Sequence, residues 1–134
     1  MIKRVSNRSL SFLGGIKLAN LKRNMIELVT DVKEGELVTK KFVTPIFIPM
    51  RTVYEAIDLV AELSKRKTAA DEKELIEKLV SFIAEKVYNK QFTSEELFNG
   101  LHAPNGIQEL YDQIYFIARG EQTEESKKYL ETKN

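Results

Sequence analysis

The feature that most constrains the fold is a change of hydrophobic pattern near residue 50, where strand-like runs give way to helical ones. Upstream, the segments MIELVTDV and LVTKKFV are rich in β-branched residues and flank a KEGE turn at residues 33–36, as the strands of a hairpin do. Gly35 can supply the positive φ that a tight turn needs. Lys40 and Lys41 interrupt the alternation and Pro45 removes a backbone donor, so we expect a bulge or a sheet edge in the second run.

Downstream, apolar residues recur at helical spacing. The first predicted helix runs from about Met50 to Ser64, and the second begins at Asp71, with Glu74 three residues later as in a capping box. The predicted buried face of the first helix contains Val53, Ala56, Ile57, Val60, Ala61 and Leu63, and that of the second contains Leu75, Ile76, Leu79, Val80, Phe82, Ile83 and Val87.

Two further helix starts lie in the stretch FTSEELFNGLHAPNGIQELYDQIYFIARG. Thr93 and Glu96 form a capping box that begins a short helix, which ends at Gly100. Asn105, with Gln108, caps the next helix, which runs to the arginine before the glycine at residue 120. With strands first and helices after them, the predicted fold class is α+β: an N-terminal β-hairpin followed by a mostly helical bundle of about four helices.

Charge divides the chain into a basic leader and a mildly acidic remainder. Residues 1–24 hold six basic and no acidic side chains, which leaves 15 basic against 20 acidic in the rest, a net charge of −5. A secretory signal, a transit peptide and a nucleic-acid-binding arm are three interpretations of the leader. We favour a fourth, that residues 1–24 are disordered or not native and that Met25 is the natural start. The predicted domains are then this leader, a single globular α+β domain over 25–120 and a polar C-terminal tail over 121–134.

No catalytic, cofactor-binding or metal-binding residues are predicted. The chain contains no cysteine, which excludes thiolate catalysis, disulfides and zinc sites built on cysteine. Its one histidine, His102, has no partners at metal-ligand spacing and no nucleophile in a recognisable arrangement. Glu95 and Glu96 are favoured by the helix dipole in a first turn, and no phosphate-loop or hydrolase motif occurs. Apolar runs are too short for a membrane-spanning helix. We therefore expect a protein that is not an enzyme.

The last predicted helix is apolar on more than one side, and two interpretations of it stay open. On the first, it is a central core helix. On the second, it packs inward on one side and contacts a partner on the other, since a helix in so small a domain is rarely enclosed on all sides. Tyrosines suit such a partly hydrated interface, because the ring is apolar and the hydroxyl is polar. On the second interpretation, the predicted partner-binding residues are Phe98, Leu101, Ile107, Leu110, Tyr111, Ile114, Tyr115 and Phe116.

The order of elements and the segments IPMRTVYEAIDL, VYNKQFTSEELFNGL and ELYDQIYFIARG resemble those of the small tail assembly chaperones of long-tailed (siphovirus-type) bacteriophages that infect Gram-positive bacteria. The resemblance covers about residues 25–120. It implies a non-enzymatic protein that binds the tape-measure protein and keeps it soluble while tail-tube subunits polymerise around it. The tail-tube protein as a second partner and self-association are further options.

The resemblance also implies where the protein acts and that a second, longer form of it is made. Such chaperones act in the cytoplasm of the infected or lysogenic bacterial host and are absent from the mature virion. Many are also made in a longer, frameshifted form, and codons for Lys127 and Lys128 could provide the slippery run. The alternative function is a small nucleic-acid-binding regulator that uses the basic N-terminal arm; neither function involves a cofactor or a membrane.

Overall fold

The computed structural model describes residues 21–65 and 68–133. A two-stranded antiparallel sheet comes first, and helices follow it, so the α+β prediction is confirmed. The elements are β1 (Met25–Lys33), β2 (Glu36–Val43), α1 (Thr52–Leu63), α2 (Ala69–Phe82), α3 (Ser94–Gly100), α4 (Ala103–Arg119) and α5 (Glu124–Lys133), and a π-helical turn (Ile83–Val87) extends α2.

The hairpin turn has the backbone conformation that its sequence predicts. Glu34 and Gly35 both have positive φ, 51° and 83°, which is the pattern of a two-residue turn whose twist matches the flanking strands. The strands pair from Met25 opposite Val43 to the turn, with one register shift between Val29 and Asp31. The bulge therefore lies in β1, and β2 is an edge strand that ends before Pro45, which is the second of the two alternatives that Lys40, Lys41 and Pro45 indicate.

The core lies between the first half of β1 and the helices. Met25, Ile26 and Leu28 are the buried residues of β1, whereas residues 30–41 at the far end of the hairpin are exposed. The other fully enclosed side chains come from the end of α2, the π-helical turn, α3 and α4; they include Leu79, Ile83, Val87, Tyr88, Leu97 and Ile114. Because one half of the hairpin is anchored in this way, the other half projects from the domain.

The buried face of α1 differs from the predicted one. Leu59, which the predicted face does not include, is buried, whereas Ile57 and Ala61 are exposed. At about 100° per residue Ala56 and Leu59 lie about 60° apart on the core side, and Ile57 lies about 160° from Leu59. Both sides of α1 are apolar, and a periodic pattern alone does not say which of them faces the core.

Two helix starts also differ from the prediction. Thr68, in extended backbone, caps α2 and accepts a hydrogen bond from the Asp71 amide over 3.1 Å, so Asp71 lies inside the helix. For α4 the residue at the cap position is His102 rather than Asn105, and Pro104 occupies the first turn, where its fixed φ suits a helix start. At α3, by contrast, the Thr93 capping box is confirmed in full.

The chain leaves α2 through the π-helical turn and two left-handed residues. The Tyr88 amide donates to the Ile83 carbonyl five residues back over 3.0 Å, and Asn89 and Lys90 then adopt φ of 52° and 63°. This reversal directs Phe92 into the core, where its ring centroid is 5.2 Å from that of Tyr88. The Phe92 ring also lies 4.9 Å from the Phe42 ring of β2, edge to face.

Residues on both sides of the predicted 25–120 domain make contacts with it. Arg23 Nε donates to the Thr44 carbonyl over 2.9 Å, and Lys22 Nζ donates to the Gly120 carbonyl over 2.7 Å. Gln122 Nε2 donates to the Arg23 carbonyl, so the entry of the chain is bonded to the segment that links α4 and α5. The sequence pattern assigns these residues to a leader and a tail; residues 1–20 of that leader lie outside the described residues.

Candidate functional site

The predicted partner-binding residues of α4 lie mostly inside the domain. Leu110, Ile114 and Phe116 are buried, and their side chains form part of the core. Leu101, Tyr111 and Tyr115 are half-buried and pack against it. Of the eight, only Phe98 and Ile107 are mainly exposed, at 51% and 42%. The structure therefore does not bring the eight residues together on one surface.

A buried polar contact in the middle of α4 explains why this helix faces the core. Gln113 is buried; its Oε1 accepts hydrogen bonds from the Tyr88 hydroxyl over 2.5 Å and from Asn24 Nδ2 over 3.3 Å, and its Nε2 donates to the Met25 carbonyl over 2.9 Å. Burial, and secondarily the charge of Glu109, raises the pKa of the Tyr88 hydroxyl well above its usual value, so it stays a donor. Of the two interpretations of α4, this geometry supports the core helix.

The largest set of exposed apolar side chains lies at α1. Met50, Tyr54 and Ile57 are exposed at 76%, 74% and 49%. Tyr54, Ile57 and Ala61, which is also exposed, recur at spacings of three and four residues and so share one side of the helix, and Met50 stands in the turn that leads into it. We call these four residues the outer α1 face. Ile46 and Phe47, in the segment that leads into α1, are exposed as well. The sequence signal for this face was the second apolar period of α1, which was assigned to the core.

An acidic groove runs beside the outer α1 face, between α1 and α2. Six carboxylates and two lysines line it, together with Leu59, Ser81 and Phe82; the charged residues are Glu55, Asp58, Glu62, Glu74, Glu77, Glu85, Lys78 and Lys86. We call it the α1–α2 groove. Lys78 Nζ lies 3.1 Å from Glu62 Oε1, and this hydrogen bond and the Glu62 charge raise the pKa of Lys78. Most of the carboxylates face water, so the groove presents a negative surface.

A second groove lies between the hairpin, α4 and α5. Glu109 stands half-buried in it, and burial, followed by the charges of Asp112, Glu125 and Glu27, raises the pKa of its carboxyl. Asn24 also lines this groove; its Oδ1 is buried and has no hydrogen-bond partner.

A third groove is basic and lies between the chain entry, β2 and α5. Five cations and Glu131 line it; the cations are Lys22, Arg23, Lys40, Lys41 and Lys127. Four of the five already serve the fold: Lys22 and Arg23 bond backbone carbonyls, as described above. Lys40 lies 5.1 Å from the centre of the Phe42 ring, and Lys41 lies 4.5 Å from that of Tyr129.

The segment VYNKQFTSEELFNGL has a structural role. Four of its side chains are buried: Val87, Tyr88, Phe92 and Leu97. Gly100 packs closely against β1. Only Phe98 among its large apolar side chains is mainly exposed. The residues of this segment therefore build the junction between α2, α3 and the hairpin.

In residues 21–65 and 68–133, no three His, Asp or Glu side chains are grouped so that they could hold a metal ion. None of the described helices is both long and apolar enough to cross a membrane. His102 is exposed and stands at the start of α4.

The fold and these surfaces define a small α+β domain whose candidate site is a contact surface. A family model described as phage tail chaperone protein matches residues 20–134. The chain therefore belongs to the phage tail chaperone family, and this membership suggests a non-enzymatic role in tail assembly. The search of curated proteins and the search of solved structures each found no match.

Proposed function

We propose that this chain binds the tape-measure protein of its phage and keeps it soluble while the tail tube assembles. The proposal rests on the family to which the chain belongs and on one structural observation, the outer α1 face. Five large apolar side chains, from Ile46 to Ile57, are exposed within twelve residues of the chain. So many large exposed apolar side chains in one short stretch of a small domain are typical of a protein-binding site.

The physical basis is the need of an amphipathic helical client for a temporary apolar partner. Such a helix can lay its apolar side on an exposed apolar helix face of the chaperone, which removes both from water. One contact of a few side chains is weak. Many copies along a long, repetitive client would act together, because each bound copy raises the effective concentration of client segments near the next.

Further parts of the proposal concern other partners and the place of action. The tail-tube protein is a second candidate partner, since on this proposal tube subunits polymerise around the client that the chaperone keeps soluble. The chaperone would act in the cytoplasm of the bacterial host and be left out of the finished virion. A longer product made by frameshifting near Lys127 and Lys128 would keep the chain up to the first turn of α5 and replace the rest of that helix with a different sequence.

The nucleic-acid alternative has the basic groove in its favour. Four of the five cations in that groove are engaged by carbonyls or aromatic rings of the domain, and the groove beside α1 is acidic. A nucleic-acid site would need those cations free to neutralise phosphates. We therefore favour the chaperone.

The test is co-expression of the full chain with the tape-measure protein encoded in the same genome. We expect the client to move into the soluble fraction and to co-elute with the chain in size-exclusion chromatography. The control is an unrelated α+β protein of similar size expressed at the same level. If the client stays insoluble with both, the proposed function is wrong; retention of DNA by the chain that falls steeply with salt would then favour the regulator.

A further inference from the structure

We propose that the outer α1 face and the α1–α2 groove together bind one amphipathic helix of the client whose apolar side is flanked by lysine and arginine. This inference rests on the proposed function and adds to it the location of the surface and the chemistry of the client segment. It differs from the sequence-based prediction, which located the surface on α4.

The apolar half of the surface sets the length of the bound helix. From Tyr54 to Ala61 the outer α1 face covers seven residue steps, or roughly 10 Å at the rise of an α-helix, and Met50 extends it in the turn before α1. A client helix lying along it would make contact over about two turns, with anchors at positions i, i+3 or i+4, and i+7. Tyr54, in the middle of the face, offers a large ring for the central anchor and a hydroxyl that can stay in water.

The charged half of the surface determines which charge is favoured on the client helix beside its apolar side. Glu55, Asp58 and Glu62 lie on α1 at about 100° from the outer face, on the side that turns toward α2. Glu74, Glu77 and Glu85 oppose them from α2. Within the described residues that line this groove, two lysines face six carboxylates, so the groove keeps a surplus of negative charge. A client helix seated on the outer face would present one flank to this groove, and a cationic flank would be favoured there.

The competing surface is smaller. Phe98 and Ile107 are the mainly exposed members of the sequence-predicted set, and they stand on two different helices. The outer α1 face, with the segment before it, brings five large exposed apolar side chains from one continuous stretch. The two surfaces can be tested against each other, because each offers two exposed residues for substitution.

The first experiment uses the co-expression assay with two double variants of the full chain. We expect Tyr54→Asp with Ile57→Asp to lower the co-eluting client at least about tenfold, and the matched control, Phe98→Asp with Ile107→Asp, to stay within about twofold of the native chain. Circular dichroism and thermal melting of each variant would confirm that it is folded. The inference is overturned if the α1 variant is folded and retains the client.

The second experiment tests the charge of the flank. Overlapping fluorescent peptides from the tape-measure protein are titrated with the chain at about 50 and about 300 mM NaCl. We expect the tightest peptides to have an apolar side flanked by Lys or Arg, and Asp58→Lys with Glu77→Lys to weaken them at least about tenfold at low salt. The control, Glu34→Lys with Glu36→Lys at the hairpin turn, makes the same change of net charge and is expected to stay within about twofold.

These outcomes separate the two proposals. If the native chain does not solubilise the client, the proposed function fails and the location of the surface fails with it. If the native chain and the α1 variant both solubilise the client, the function stands and this location is wrong. Equal binding of the peptides by the Asp58/Glu77 variant would reject the cationic flank alone, while the apolar half would still be decided by the first experiment.

Discussion

The Tyr88 hydroxyl donates a hydrogen bond of 2.5 Å to Gln113 Oε1 in the interior of the domain. Tyr88 directly follows the π-helical turn, and Gln113 lies in the middle of α4, so the contact joins the end of α2 to the central helix. Because Gln113 also bonds Asn24 and the Met25 carbonyl, one amide connects three parts of the chain. Such a network is worth most where it is shielded from water, as here.

Loss of this amide should destabilise the domain strongly. We expect Gln113→Ala to lower the free energy of unfolding by about 3 kcal/mol. The substitution leaves the Tyr88 hydroxyl, the Asn24 side-chain amide and the Met25 carbonyl without the hydrogen bonds that Gln113 makes to them. Gln108→Ala, one turn earlier on the exposed side of α4, is the control and should change it by less than about 0.5 kcal/mol. Urea denaturation of both variants measures the difference. Equal effects would show that the network adds nothing beyond helix propensity.

The two apolar sides of α1 should respond differently to truncation. Leu59→Ala is expected to cost about 2–4 kcal/mol, since it opens a cavity in the core. Ile57→Ala is expected to cost less than about 1 kcal/mol, because that side chain stays about half in water. Thermal and urea unfolding of the pair would check this. A large loss for Ile57→Ala in the isolated protein would mean that the outer α1 face is already covered, for example by a second copy.

Two glycines should give opposite results when replaced by alanine. A Cβ at Gly100 would lie 3.0 Å from Leu28 Cβ and 3.1 Å from the Val29 carbonyl oxygen, so β1 would have to move. We expect Gly100→Ala to cost about 1–3 kcal/mol. At Gly106, inside α4, the nearest atom would be Leu101 Cβ at 3.8 Å, and alanine should stabilise the domain by about 0.5–1 kcal/mol. Calorimetric melting temperatures would move in opposite directions; a rise for Gly100→Ala would contradict the close approach of α3 to β1.

The carboxyl of Glu109 should make the domain less stable as pH rises. Burial and neighbouring carboxylates raise its pKa in the folded state above the ordinary value of 4.5. In the pH window between the unfolded-state and the folded-state pKa, the folded state therefore binds more protons than the unfolded state. Stability from this group is therefore lost as pH rises through the window. We expect Glu109→Gln to raise the free energy of unfolding at neutral pH by less than about 1 kcal/mol, a figure reduced for solvent screening.

The pH dependence of that gain is the decisive measurement. Near pH 3.5, about one unit below the ordinary carboxyl value, the protein and the Glu109→Gln variant should unfold at nearly the same urea concentration. At pH 7 the variant should unfold later. Glu121→Gln, at an exposed position outside this groove, is the control and should shift the midpoint by little at either pH. A gain from Glu109→Gln that is equal at both values of pH would rule out ionisation as its cause.

Local signals in the sequence predicted local structure well. The hairpin turn at Gly35, the capping box at Thr93 and the left-handed helix end at Gly120 depend on residues a few positions apart, and all three are confirmed. These features need only the φ preference of glycine or a side chain that reaches its own helix end.

The sequence is least informative where the deciding contact is distant along the chain. Apolar residues on several sides of α4 indicated either a core helix or a partner surface, and only its contacts with α1 and α2 distinguish the two. In α1, two apolar periods compete, and Ile57 was assigned to the core although Leu59 lies there. The hydrogen bond between Asn24 and Gln113 joins residues 89 positions apart, and no local pattern indicates it.

The bonds that tie Lys22 to Gly120 and Arg23 to Gln122 have a consequence for the newly made chain. They span 98 and 99 positions, so the first strand emerges from the ribosome long before the residues that hold its entry. Contacts this distant in sequence form late, because a large loop must close first. Until synthesis passes residue 122, the hairpin lacks its final anchor. The entry of the first strand is therefore fixed in place only after α4 and Gln122 have been translated and have left the ribosome.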